Sequence, residues 1–62
     1  MGPAQVAECA VFAELDDWRF DEERRRVELI AEQGSVSEVR VETERGTWTV
    51  IVEEDTGTVD IL

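Results

Sequence analysis

Sixty-two residues make one domain, and a chain of that size buries only about 60% of its unfolded surface, too little to enclose a deep substrate cleft. An apolar content of 42% is too high for a disordered tail, and no run approaches the ~20 apolar residues of a membrane span. Sixteen Asp and Glu face six Arg, with no Lys and no His, for a net charge of −10, which opposes binding to nucleic acid or an anionic membrane.

Gly2-Pro3 opens a helix, since proline suits the first helical turn, and residues 4–15 continue it without a breaker. Val6, Ala10 and Ala13, with Cys9 beside them, form one apolar face; Val11, Leu15 and Trp18 form a second. Cys9 cannot form an internal disulfide because it is the single cysteine, and within a helix it is expected to be a small buried apolar residue. Asp16-Asp17 interrupts. Asp21 can cap a second helix running to Gln33, with Glu22 and Glu23 in its first turn, where the helix dipole favours carboxylates.

That second helix would align Phe20, Val27, Ile30 and Ala31 and pair Asp21 with Arg25 and Glu22 with Arg26, and Gly34 would stop it. Val27, Leu29 and Ala31 also alternate as in a strand, so a fourth strand is the alternative. Whether one helix or two precede Gly34 is open, because no Gly or Pro divides them.

From Val39 to Val52 the pattern is a hairpin. Val39, Val41 and Thr43, then Trp48, Val50 and Val52, recur with period two. A two-residue loop at Arg45-Gly46 sets Thr43 opposite Trp48, Val41 opposite Val50 and Val39 opposite Val52. A second such loop at Thr56-Gly57 adds Val59 and Ile61 to the same face. The expected fold is α+β, an N-terminal helical segment covering a three-stranded antiparallel meander.

This register puts Glu38, Glu53 and Asp60 in one row across the outer face, with Arg40 one row along and Ile51 beside Leu62. Like charges directly opposite are destabilising, so the row is a candidate surface for a basic partner. The denser candidate is the helix junction, where Asp16, Asp17, Asp21, Glu22 and Glu23 surround Trp18 and Phe20. There aromatics could anchor a basic protein that the carboxylates select.

Catalytic chemistry finds few tools here. Without His, and with one Cys, no Cys/His pair, zinc site or Ser/His/Asp triad can be built, and no glycine-rich phosphate loop occurs. Exposed carboxylates on a thin domain lack the pocket that would separate their pKa values for acid–base work. No enzyme, cofactor or metal is expected.

Val39-Arg40-Val41-Glu42, Gly46-Thr47-Trp48-Thr49-Val50 and Asp55-Thr56-Gly57-Thr58-Val59, within Val36 to Leu62, resemble the strand half of a PepSY domain. The resemblance implies a helix followed by an antiparallel meander and transfers no functional residue.

Two functions follow from the residues. One is a small acidic inhibitor that occupies the basic nucleic-acid site of a larger protein, with carboxylates in place of phosphates, as phage-encoded anti-defence (anti-CRISPR-type) proteins do. Such a protein would be monomeric or a small homo-oligomer and would work in the cytoplasm, the host's if viral. The other is an accessory or structural domain, PepSY-like or adapted to a salt-rich cell, whose acidity serves solubility.

Overall fold

The computed structural model describes residues 2–15 and 24–62. One helix, α1 (Pro3–Glu14), precedes four strands, β1 (Arg25–Gln33), β2 (Val36–Thr43), β3 (Gly46–Glu53) and β4 (Thr58–Ile61). The strands form an antiparallel sheet in sequence order, β1-β2-β3-β4. This is an α+β fold. Helix α1 lies on one face of the sheet and touches every strand.

Helix α1 has Pro3 at its start, no side-chain cap from Gly2 and no acidic residue in its first turn. Twelve residues so weakly capped would be marginal alone, so packing holds them. Ala4, Ala7, Val11 and Leu15, spaced by three and four, turn to the sheet; Ala7 and Val11 are fully buried, and Phe12 beside them is buried too. Of the two apolar faces expected, the one with Val11 and Leu15 packs inward. Val6 is half-buried, but Cys9 and Ala13 are exposed. The helix turns Ala7, Val11 and Phe12 inward, and Cys9 is left facing solvent.

The sheet's inner face is a valine layer of Val39, Val41, Val50 and Val52, with Val27, Trp48, Val59 and Ile61 packed around it. Trp48 is half-buried at the margin of this layer. Its ring lies over Gly46, whose φ of +144° is left-handed backbone that favours glycine. Ser37 occupies an inward position in the same layer, and no described group hydrogen-bonds its buried hydroxyl.

The segment expected as a second helix is strand β1 from Arg25 onward; the part from Asp21 to Glu23 lies outside the described residues. The structure therefore has four strands, as the alternating Val27 and Leu29 allow. Four consecutive residues of β1 meet a complementary neighbour across β2. Val27 faces Val41, Leu29 faces Val39, Glu28 faces Arg40 and Arg26 faces Glu42. Four such cross-strand pairs, each about 0.2–1 kcal/mol, outweigh two helical ion pairs of about 0.2–0.5 kcal/mol. A bulge between Leu29 and Ala31 leaves Ile30 outside the pairing, and bulges of this kind blunt an edge strand.

Both later hairpins differ from their expected register by two residues. The β2–β3 loop is Glu44-Arg45, so Thr43 meets Gly46, Val41 meets Trp48 and Val39 meets Val50. The β3–β4 loop runs from Glu54 to Gly57, so Val52 meets Val59 and Val50 meets Ile61. A shift of two preserves every inward and outward assignment, while it rearranges which residues touch.

Candidate functional site

The junction cluster of Asp16, Asp17, Trp18, Phe20, Asp21, Glu22 and Glu23 lies outside the described residues. The second candidate, Glu38, Glu53 and Asp60, is fully described, and its geometry differs from the expected row. Glu38 and Asp60 are the two direct cross-strand partners of Ile51, while Glu53 stands one row further on, between Val36 and Thr58. No two of these carboxylates face each other. Two strand spacings, about 10 Å, separate Glu38 from Asp60, which relieves the repulsion that the expected register implied.

The outer face of the sheet is the one α1 does not cover, and its charge is graded. Arg26 faces Glu42 and Arg40 faces Glu28 in the two rows nearer the β2–β3 loop. In the two rows nearer the β3–β4 loop stand Glu38, Glu53 and Asp60, without an arginine. Arg24 and Arg25 at the start of β1, and Arg45 in the β2–β3 loop, gather at the same end as Arg26, because Arg25 pairs with Thr43. The far end, made by the β1–β2 and β3–β4 loops, carries Glu32, Glu53, Glu54 and Asp55 and, among the described residues, no arginine. The described molecule is thus electrically polarised along its strands.

Apolar residues sit within this acidic half and at its border. Val36 is 38% exposed and Leu62 75% exposed, and Ile51 is half-buried between its two carboxylate neighbours. Leu62 is tied to the sheet by its N–H, which donates to the Thr49 carbonyl. It therefore stands near Ile51 but one row along from it.

At the acidic end a cleft of about 360 Å³ opens between the first turn of α1 and the β3–β4 hairpin. Pro3, Val6, Val52 and Val59 supply apolar walls, and Glu53 and Glu54 the acidic rim. Three contacts hold the rim. Ser35 donates its hydroxyl to Glu53 Oε1, the Asp55 N–H donates to the same oxygen at 3.2 Å, and the Glu54 N–H donates to the Ser35 carbonyl at 2.9 Å. Nothing in the residue pattern announced this cleft, since it joins positions 2–6 to positions 52–59. The adjacent turn was legible from Asp55-Thr56-Gly57.

Among the described residues, no group of three or more Cys, Asp or Glu is placed to hold a metal ion, and no helix is long and apolar enough to cross a membrane. No family model, curated protein or solved structure matches the chain.

Proposed function

We propose that this protein is a non-enzymatic binding module whose acidic half docks on the basic, nucleic-acid-binding surface of a larger protein and blocks it. The observation that carries this reading is the segregation of charge: Glu38 and Asp60 share the outer face with Ile51 and Val36, Glu53 turns its carboxylate to the loops at the same end, and the described arginines stand toward the opposite end. An apolar anchor ringed by carboxylates suits a protein partner, because the anchor supplies desolvated contact and the charges supply selection and steering. The carboxylates would take the place of phosphates, and the mechanism is competition. An anti-defence protein of a phage would work in this way.

A direct test uses labelled duplex DNA bound to a panel of basic DNA-binding domains. The chain should displace DNA from its target at low salt and lose that ability steeply as salt rises, because each charge pair formed releases counterions. Reversing Glu38, Glu53 and Asp60 to Lys should abolish displacement. Failure to displace DNA from any domain at low salt overturns the reading.

Glu14, Glu42 and Glu44 favour the second reading, acidity as adaptation to a salt-rich cell, because they lie away from the acidic end. Under that reading the chain needs molar salt to fold. Under the docking reading it folds at low salt, and thermal melting at both salt concentrations separates the two.

A further inference from the structure

The cleft at the acidic end is a site in its own right, and we infer that it receives one arginine side chain of the basic partner. The inference rests on the docking reading above and adds a point of attachment to it.

Shape and lining come first. A volume of about 360 Å³ is at the lower end of the roughly 300–1,000 Å³ typical of ligand pockets, which suits one long side chain better than a cofactor. Pro3, Val6, Val52 and Val59 offer apolar walls from two different elements. Arginine buries a three-carbon stem against such walls while its head stays at the rim.

The rim decides the sign of the ligand. Glu53 is held through Oε1 alone, by the Ser35 hydroxyl and the Asp55 N–H, and no described donor reaches its Oε2. A carboxylate oriented by two donors on one oxygen presents the other with little left to reorganise. Glu54 stands beside it, exposed, and its backbone is tied to Ser35 across the two loops. The first turn of α1 opposes this with a partial positive charge of about half a unit. Two full carboxylates outweigh it, so the cleft favours a cation.

No described arginine of this chain can fill the place, because Arg24, Arg25, Arg26 and Arg45 lie at the other end of the sheet and Arg40 lies on its outer face. Guanidinium fits better than ammonium for two reasons. Its planar fork can bridge two acceptors, and it is more weakly hydrated, so it gives up water more readily to enter an apolar mouth.

The test is a titration of the isotope-labelled chain, followed by amide chemical shifts, with the blocked tripeptides Gly-Arg-Gly, Gly-Lys-Gly and Gly-Leu-Gly. The arginine peptide should move the amides of Val6, Val52, Glu54, Gly57 and Val59, with an effect that fades as salt rises. Glu53→Gln should weaken it about tenfold, since a charge-assisted bond is about twice as strong as a neutral one. Glu54→Gln, on an exposed residue outside any strand, should weaken it without touching the fold. Equal shifts from the leucine peptide would overturn the cationic assignment, and equal affinity for the lysine peptide would overturn the choice of guanidinium. Arginine-induced shifts confined to Glu38, Ile51 and Asp60 would overturn the cleft while leaving the docking reading intact. If no basic peptide or protein binds anywhere, the docking reading falls and the cleft falls with it.

Discussion

Arg25 of β1 sets its guanidinium carbon 5.5 Å from the centre of the Phe12 ring in α1. The same guanidinium donates from Nε to the Glu8 carboxylate one helical turn earlier. One side chain therefore clasps the helix to the first strand through a cation–π contact and an ion pair at once. Both partners of the ion pair are mostly buried, with side-chain exposures of 23% and 21%, so solvent screens the contact less than it would on the surface.

Arg26, the next residue, makes an ion pair of a different kind. It meets Glu28 at 2.7 Å, but its side chain is 71% exposed, and exposed pairs contribute about 0–1 kcal/mol. Arg25→Gln should therefore destabilise the fold by about 1–2 kcal/mol, from the lost cation–π contact and the stranded Glu8 carboxylate. Arg26→Gln should change it by less than about 0.5 kcal/mol. Urea denaturation of the two variants checks the difference, and equal midpoints would show that the clasp carries no weight.

Ser37 leads to a gain. Its hydroxyl is buried in the valine layer, opposite Val52, without a hydrogen-bond partner among the described residues. Leaving such a group unsatisfied costs about 1–3 kcal/mol. Ser37→Ala removes the hydroxyl and almost no packing volume, so the melting temperature should rise by several degrees, since about 1 kcal/mol is worth roughly 4–8 °C in a domain of this size. A lower melting temperature would mean that the hydroxyl has found an acceptor.

The inward face of the sheet was legible in the residues because a strand has period two. Val39, Val41, Val50 and Val52 share one side whichever two-residue loop joins them. The register was not legible for the same reason. Arg45-Gly46 and Glu44-Arg45 are both two-residue loops, and moving from one to the other leaves every inward residue inward. What distinguishes them is the pairing, in which Thr43 meets Gly46 instead of Trp48. Strand β1 was ambiguous on a different ground: Val27, Ile30 and Ala31 make a helical stripe while Val27 and Leu29 make a strand stripe, and the decision came from residues on β2, ten or more positions away.

The register itself can be measured. Nuclear Overhauser contacts should join Val39 to Val50, Val41 to Trp48 and Val52 to Val59. Contacts between Val39 and Val52 instead would restore the other loop, and Glu38 would then face Glu53.

That difference has a consequence for the acidic face. With Glu38 and Asp60 each opposite Ile51, the two charges are about 10 Å apart, close to one screening length at 0.1 M salt. They repel weakly, so the fold gains little when they are removed. The double variant Glu38→Gln, Asp60→Gln should keep its stability within about 0.5 kcal/mol. Binding should respond far more. The salt dependence of affinity for polyarginine should become shallower as two charge contacts disappear, and affinity at low salt should fall about tenfold. Ile51→Ala should weaken binding of the basic target protein without altering that salt dependence, because it removes the apolar anchor and leaves the charges in place. Calorimetric melting and titration across a salt series read all of these quantities on the same samples. If the double variant melts much higher than the parent, the two carboxylates were opposed after all. If it binds polyarginine with the parent's affinity and salt slope, the outer face is not the docking surface.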